Sequence, residues 1–387
     1  SPAVLQEAFE NLLANRSQIS PAVIMELLHG EVAAPCAADL YERPLFVWYD
    51  FFSIPQNGRH QTQEKLNAIN SIPSYVTRSL YFIVLTPALV HESQGCILSR
   101  QTWEQRGWCR AERMARELAT TRGFVVAVES AMHQVLLPDV YSSTYSPGEG
   151  EFSFEQDRHL VGSVIVQLVW NRLHHYLQDG DFPSYRFHLN QQSVRLKNLG
   201  VESLDNFVPG FRTQVDPFED PCAFLLARFM HQNGFHSVDD RDEAGWSPLC
   251  YATINGDESL VASLLELRAD PGNRVGRPLP GTFVFRNMNV LALAALHRSN
   301  NALKLLLAAR AEVNATDVDN KTALHYACVS DNAEAVRMLL DAGVNPDLRN
   351  LPEGTAFQVA CAEASLNALS ELLARCPTQS LSQGLHL

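Results

Sequence analysis

The sequence lacks the long apolar segments, the excess of basic residues and the paired cysteines that mark membrane, nucleic-acid-binding and disulfide-stabilised proteins. Its longest apolar stretch, SLYFIVLTPALV at residues 79–90, contains a proline and is too short to span a bilayer. Lys and Arg number 30 against 43 Asp and Glu, so no basic surface is expected for a phosphate backbone. The eight cysteines contain no CxxC pair, which is typical of buried thiols in a reducing compartment. We therefore expect a cytoplasmic protein with no metal site, no nucleic-acid partner and no membrane segment.

What the sequence does contain is sufficient for several folded domains. Its 387 residues exceed the size of a typical single domain, and 46% of them are apolar, as in ordinary globular proteins. The opening segment SPAVLQEAFENLLANR has the spacing of an amphipathic helix and carries acidic residues, unlike a secretory signal. The net charge of −13 and this composition predict an acidic protein of two or three domains.

The C-terminal third of the sequence repeats itself. Four hexapeptides align on a final alanine, and these alanines recur at intervals of 42, 33 and 33 residues: SPLCYA (247–252), NVLALA (289–294), TALHYA (322–327) and TAFQVA (355–360). A leucine pair follows each alanine at the same distance, beginning at Leu264, Leu306, Leu339 and Leu372. This pattern resembles the ankyrin repeat, whose consensus T-P-L-H-x-A matches best at 322–327. The resemblance predicts an all-α solenoid of four repeats over residues 238–377, followed by a tail at 378–387.

The local chemistry of these segments agrees with paired helices. Thr322 and Thr355 carry oxygens that can cap a helix, and Pro248 stands where a missing N–H costs nothing. Gly343 follows the second helix of its repeat and is expected to adopt a left-handed conformation. His325 is interpreted as a structural histidine at a helix start that hydrogen-bonds the next loop. Because one repeat cannot bury its own apolar face, four stacked copies are expected to share a core.

The second copy departs from the pattern by nine extra residues. Its segment NRVGRPLPGTFVFRNMN (273–289) predicts an elongated finger loop, and the simplest interpretation is an insertion tolerated at the surface. The ankyrin resemblance implies a protein partner bound on the concave side by the finger loops, near residues 240–246, 272–288, 315–321 and 347–354. The finger residues that we expect to contact this partner are Asp242, Trp246, Asp317, Asp319, Asn320 and Glu353.

The N-terminal half has the pattern of an α/β domain. Three short apolar runs, LFVWYDFF (45–52), SLYFIVLT (79–86) and GFVVAVES (123–130), alternate with the helical segments QTQEKLNAINSI and WCRAERMARELAT. Apolar runs of this kind suit strands that are covered on both faces of a parallel sheet. The alternation predicts a doubly wound parallel sheet, with functional residues at the carboxyl ends of the strands.

This half resembles the Toll/interleukin-1 receptor (TIR) family. The motifs that carry the resemblance are Ala68-Ile69 with Ser71-Ile72, the strand at Ser79–Thr86, and Trp108-Cys109-Arg110-Ala111-Glu112. We expect a TIR/flavodoxin-like domain over residues 1–135. The family's first strand is not visible in the sequence, so a domain truncated at its N-terminus is expected. The loop SIPQNGR stands where the family has a mobile loop, which implies self-association into a homo-oligomer through Pro55, Gln56, Asn57 and Gly58.

The TIR resemblance also implies an enzymatic alternative. In catalytic members the glutamate of the W-C-x-x-E helix cleaves the nicotinamide–ribose bond of NAD, a role that falls here on Glu112. The substrate pocket would include Trp108, Asp50 and Ser53, with NAD as substrate and no cofactor. A carboxylate there can stabilise the oxocarbenium-like ribose. The structural alternative is that Trp108 and its cysteine neighbour pack the helix on the sheet, while Glu112 pairs with Arg106 or Arg110.

Residues 136–237 are expected to form a helical connecting region that packs on both neighbours. The segment DRHLVGSVIVQLVWNRLHHYL (157–177) has a long apolar stripe, and DPCAFLLARFMHQNG (220–234) predicts a helix ending at Gly234. Taken together, the sequence favours an interaction scaffold or signalling adaptor. Ankyrin repeats would bind a partner protein and the TIR-like domain would self-associate. NAD hydrolysis by Glu112 is the alternative.

Overall fold

The computed structural model describes residues 2–41, 46–48, 63–91, 95–121, 123–138 and 145–376. The chain divides into two units. The first comprises residues 1–26, 31–172 and 195–202, and the second comprises residues 27–30, 173–194 and 203–387. Each unit is therefore assembled from segments that are distant in sequence, and four residues near the N-terminus belong to the second unit.

The helices and short strands that the structure describes before residue 180 are these. In chain order they are α1 (Pro2–Leu13), β1 (Ile19–Pro21), α2 (Val23–His29), α3 (Ala37–Tyr41), α4 (Gln63–Arg78), β2 (Tyr81–Leu85), β3 (Leu89–Val90), β4 (Ile97–Leu98), α5 (Arg100–Glu104), α6 (Gly107–Glu117), β5 (Phe124–Ser130), β6 (His133–Leu137) and α7 (Gln156–Asp179).

In the part of the first unit that the structure describes, four strands form a mixed sheet. The strand order is β1-β6-β5-β2, with β1–β6 and β2–β5 parallel and β5–β6 antiparallel. Val125–Val128 of β5, an interior strand of this sheet, are buried, whereas β2 is the end strand of the order and buries only Val84. The apolar run of β5 follows from burial on both faces. The strands predicted at 79–86 and 123–130 are confirmed as β2 and β5.

The expectation of an all-parallel sheet is wrong for β5 and β6. Only Ala131 and Met132 separate these strands, and the ladder closes at Ser130 opposite His133. A connection of two residues cannot carry the chain back across a sheet, so the second strand must run antiparallel to the first.

Two further differences concern the N-terminal segment. β1 spans three residues and was not predicted, because ISP is too short to show an alternating pattern. The run at 45–52 was predicted to be a strand, but Phe46–Trp48 are not in a strand. The remaining residues of that run lie outside the described residues.

The segment WEQRGWCRAE is divided between two helices. α5 ends at Glu104, and α6 begins at Gly107, whose N–H donates to the carbonyl of Glu151 at 2.8 Å. A β-carbon on Gly107 would lie 2.2 Å from the ring of Phe152, so no larger residue fits without displacing that ring. The glycine thus permits the close approach of the segment around Glu151.

The described residues of the second unit form helices joined by loops. α8 (Phe182–Asn190), α9 (Gln192–Arg195) and α10 (Pro221–Asn233) precede four helix pairs. The pairs are α11 (Pro248–Asn255) with α12 (Glu258–Glu266), α13 (Val290–Leu296) with α14 (Asn300–Ala308), α15 (Ala323–Val329) with α16 (Ala333–Asp341), and α17 (Ala356–Ala362) with α18 (Leu366–Arg375). The first helices of successive pairs pack on one another and form a continuous core.

The helix ends in this unit follow the expected chemistry. Ser247 accepts a hydrogen bond from the N–H of Cys250 at 3.3 Å, and Pro248 occupies the first helical position of α11. Gly343 after α16 and Gly234 after α10 have φ angles of +84° and +65°. Both glycines adopt the predicted left-handed conformation, in which residues with a β-carbon are disfavoured.

Candidate partner-binding site on the repeat fingers

Each of two finger loops is built around a buried aspartate. Oδ1 of Asp317 accepts hydrogen bonds from the N–H groups of Asp319 and Lys321, both at 2.9 Å, and Oδ2 accepts from the hydroxyl of Tyr326 at 2.5 Å. One carboxylate thereby closes the finger turn and joins it to helix α15. Charge-assisted hydrogen bonds of this kind are stronger than neutral ones, so they hold the loop in one conformation.

The first repeat has the same arrangement. Asp242 accepts from the N–H groups of Ala244 and Trp246, both at 3.0 Å, and from the hydroxyl of Tyr251 at 2.5 Å. In both repeats the tyrosine follows the aspartate by nine residues. The shared spacing from the first to the last residue of DEAGWSPLCY (242–251) and DVDNKTALHY (317–326) is the sequence signal that could have identified these tyrosines as part of the fingers.

Lys321 is a buried cation beside the Asp317 turn. Its Nζ lies 2.7 Å from Oδ2 of Asp319 and 3.9 Å from Oδ2 of Asp317, and its side chain has no exposed surface. Burial lowers the pKa of Lys321 and raises the pKa of Asp317, and the attraction between the two charges opposes both shifts. A buried cation of this kind requires hydrogen-bond acceptors on all sides, since an unpaired one is strongly destabilising.

His325 joins one repeat to the finger of the next. Nδ1 accepts from the N–H of Thr322 at 3.2 Å, and Nε2 lies 3.2 Å from the carbonyl oxygen of Gly354. This geometry requires the neutral ring with its proton on Nε2. Burial is the main cause that lowers the pKa of His325 to about 4. The predicted structural role of this histidine is confirmed.

The six finger residues expected to contact a partner fall into two groups. The side chains of Asp242 and Asp317 are buried and hold their turns, and Trp246 is fully buried with its Nε1 donating to the carbonyl of Arg277 at 3.0 Å. The other group lies at the finger tips and has exposed surface, and it consists of Asp319, Asn320 and Glu353.

The finger tips are joined by main-chain hydrogen bonds. The N–H of Val318 donates to the carbonyl of Arg286 at 3.2 Å, and the N–H of Leu351 donates to the carbonyl of Asp319 at 2.8 Å. Val318 and Leu351 are nevertheless 46% and 59% exposed. Three successive fingers thus present a connected surface on which two apolar side chains face solvent.

The insertion of the second repeat is packed. Leu279, Phe283 and Val284 are buried, and Arg274 donates to the carbonyl of Thr316 in the next finger at 2.7 Å. The interpretation as a tolerated surface insertion did not anticipate this packing. The apolar residues in PLPGTFVF were the available signal, because a solvated loop does not require them.

In the first unit, two predicted site residues lie on α6. The indole Nε1 of Trp108 donates to Oδ2 of Asp157 at 3.0 Å, and Glu112 is half-buried. Nε of Arg110, considered as a partner of Glu112, donates to the carbonyl of Glu104 at 2.6 Å. The other predicted residues of this site, Asp50, Ser53, Pro55, Gln56, Asn57 and Gly58, lie outside the described residues.

The described parts of the chain contain neither a cluster of metal ligands nor a membrane-spanning helix. Over residues 2–376, excluding the gaps named above, no three His, Cys, Asp or Glu side chains are grouped as metal ligands would be. Among the helices that the structure describes, none combines the length and the apolar character needed to cross a membrane.

Comparison with known proteins identifies the repeats. The family model for ankyrin repeats (three copies) matches residues 291–382, which supports a role in protein–protein interaction. The mitochondrial disaggregase of Bos taurus is 32% identical over 110 residues. The matched region is 28% of this chain and 15% of that protein, so the similarity is confined to a small part of the relative. Neither comparison identifies a TIR-like domain.

Proposed function

We propose that this protein is an interaction scaffold whose finger loops bind a partner protein. The observation that carries the proposal is the connected surface of the finger tips, where Val318 and Leu351 expose apolar side chains. Polar residues Asn320 and Glu353 flank them, and an apolar centre with a polar rim is typical of protein interfaces. The buried carboxylate of Asp317 fixes the third finger in advance, which limits the entropy lost on binding.

The test is affinity capture with the full chain, followed by mass spectrometry. The variant Val318→Asp/Leu351→Asp places two charges on the finger tips, and Leu267→Asp serves as the control because this leucine is 55% exposed and belongs to none of the four finger loops. We expect a partner that the wild type and the control retain and the double variant loses. Retention of the same proteins by all three chains would reject the finger tips as the binding surface.

A second proposal concerns the first unit, as a TIR-like domain that self-associates or hydrolyses NAD through Glu112. The position of Glu112 supports it, since this residue is half-buried on α6, a helix in the connection between the parallel strands β2 and β5. The hydrogen bond from Trp108 to Asp157 argues against a role of Trp108 in a substrate pocket, because it gives the indole a structural role.

Nicotinamide release from NAD by the full chain tests the enzymatic part of this proposal. Glu112→Gln should reduce the rate by about 10²- to 10⁴-fold, the usual contribution of an acid–base or charge-stabilising group. Glu155→Gln, at a side chain 78% exposed, should leave the rate unchanged. Equal background rates in all three chains would reject hydrolysis. Light scattering of the wild type and of Pro55→Ala/Gln56→Ala tests self-association, and equal monomeric masses would reject it.

A further inference from the structure

Four residues from the N-terminal part of the chain lie among the repeat fingers. Leu27–Gly30 belong to the second unit, and Leu27 and Leu28 are 7% and 1% exposed. The side chains of Lys321 and Asn350 hydrogen-bond to this segment, and they lie 293 and 323 positions further along the sequence than Leu28 and Leu27. These four residues form the last turn and the end of α2.

The fingers supply hydrogen-bond donors to the carbonyl groups of this turn. Nδ2 of Asn350 donates to the carbonyl of Leu27 at 2.5 Å, and Nζ of Lys321 donates to the carbonyl of Leu28 at 3.0 Å. The last carbonyls of a helix have no partner within the helix, and a cation near them also complements the helix dipole. Lys321 and Asn350 therefore donate hydrogen bonds to backbone carbonyl groups that have no partner within the helix.

The side chains of both donors, Asn350 and Lys321, are held in place by further contacts within the finger loops. Oδ1 of Asn350 accepts from the N–H of Gly354 at 2.7 Å, and Nζ of Lys321 lies 2.7 Å from the carboxylate of Asp319. Asn350 and Lys321 are each 1% exposed. Side chains held in this way lose little freedom when they bind a carbonyl, so the fingers are preorganised for the end of a helix.

The insertion of the second repeat supplies the aromatic part of the same surface. The ring of His29 lies 5.1 Å from that of Phe285 and 6.2 Å from that of Phe283. Nζ of Lys321 lies 3.5 Å from the centroid of Phe285, within the range of a cation–π interaction. Gly30 ends the helix with a φ of +75°, where a side chain is disfavoured. We call Phe283, Phe285, Lys321 and Asn350 the cradle.

We propose that the cradle is a binding site for the C-terminal turn of a helix of the type Leu-Leu-His-Gly. The chain fills this site with its own residues 27–30, so a helix of another protein can enter only when that segment leaves. The inference rests on the proposed protein-binding function and specifies a ligand for the fingers. It also gives the insertion a role, because Phe283 and Phe285 contact the bound turn.

A labelled peptide tests the site in the full chain. The peptide PAVIMELLHGEVA, residues 21–33, is titrated by fluorescence anisotropy with the wild type and with Leu27→Asp/Leu28→Asp, which disables the internal segment. The effective concentration of a tethered segment is typically on the order of 1 mM, so the wild type should bind the peptide at least tenfold more weakly than the variant. Equal binding by both, or by neither, would overturn the proposal.

Asn350→Asp provides the matched change in the cradle. It retains the oxygen that accepts from Gly354 and replaces the donor to Leu27 with a second acceptor. Added to the Leu27→Asp/Leu28→Asp chain, it should weaken peptide binding at least tenfold. Asn301→Asp, at an exposed position of α14, should have no effect in the same background. An equal affinity in the two triple variants would contradict recognition by the cradle.

Hydrogen exchange gives a measurement that does not depend on the leucine variants. In the otherwise unchanged chain, Asn350→Asp should increase amide exchange in residues 23–33, and Asn301→Asp should not. Unchanged exchange in Asn350→Asp would reject internal occupancy of the cradle. Failure of the peptide tests while Val318→Asp/Leu351→Asp still abolishes capture of a partner would reject the cradle alone and leave the finger-tip proposal standing.

Discussion

Protonation of His325 should weaken the repeats as the pH falls. Both ring nitrogens are engaged, since Nδ1 accepts from the N–H of Thr322 and Nε2 faces the carbonyl of Gly354. A proton on Nδ1 would oppose the N–H of Thr322, and the charged ring would lie in a buried site near the Lys321 cation. Burial is the largest cause that lowers the pKa of His325 from 6.5 to about 4; the hydrogen bond to the carbonyl of Gly354 opposes this shift, and the Lys321 cation adds to it.

The size and the sign of the change in unfolding free energy follow from the difference between the pKa of His325 in the folded and unfolded chain. Because the folded pKa is below the unfolded value, the unfolded chain takes up the proton first as the pH falls. The contribution of His325 is therefore complete above about pH 6.5 and is lost between pH 6.5 and 4. With 1.36 kcal/mol per unit of pKa difference, the loss is about 2 kcal/mol between pH 7 and pH 5, with a limit of about 3 kcal/mol below pH 4.

The assay compares the wild type with His325→Gln. The next repeat shows that glutamine fits this position, because Oε1 of Gln358 accepts from the N–H of Thr355 at 2.9 Å. The glutamine in this variant should keep the capping hydrogen bond to the N–H of Thr322, but it has no group that takes up a proton between pH 7 and pH 4. Urea unfolding followed by far-UV circular dichroism at pH 7 and pH 5 gives the free energy of unfolding of each chain.

The two chains share every other titrating group, so the difference in their pH dependence isolates His325. We expect the wild type to lose about 2 kcal/mol more than His325→Gln between pH 7 and pH 5. The same loss in both chains would refute the argument that the neutral histidine stabilises the fold. A smaller loss of unfolding free energy in the wild type than in His325→Gln would contradict the sign of the predicted effect.

Three further substitutions test packing at single sites by urea unfolding. Trp246→Ala should lower the free energy of unfolding by about 3–5 kcal/mol because the indole is fully buried, whereas Phe218→Ala, at a side chain 94% exposed, should change it by less than about 0.5 kcal/mol. Tyr326→Phe should cost about 1–3 kcal/mol, since it removes a donor from a buried carboxylate, and an unchanged value would argue against that bond. Gly107→Ala should cost about 1–3 kcal/mol through its clash with Phe152, and Phe152→Leu in the same chain should restore part of the loss; additive effects would contradict the contact.

The repeats could be predicted from sequence because each repeat depends mainly on residues close to it in the chain. The recurring alanines and leucine pairs mark the buried faces, and caps such as Ser247 and Gly343 act within one turn of a helix. The same locality made β2 and β5 visible, since each contains a continuous apolar run, YFIVL in β2 and FVVAV in β5.

Predictions that depended on long-range pairing were less complete. The sequence indicated strands but not the order β1-β6-β5-β2, because the pairing of β1 with β6 joins residues that are more than 100 positions apart. The TIR-like interpretation rests on short motifs, of which the loop at Pro55–Gly58 lies outside the described residues. For Glu112 the sequence supplied a hypothesis of function, and the rate of nicotinamide release remains its test.

The composition of the finger site was decided by the tertiary structure. Lys321 and Asn350 look like ordinary polar loop residues in sequence, yet both are buried, because the carbonyls they bind belong to Leu28 and Leu27. The packing of the insertion has the same origin. A polar side chain becomes a buried donor only when the folded chain brings it an acceptor. The sequence by itself therefore determined the repeats, and the tertiary structure determined which carbonyl groups the finger side chains bind.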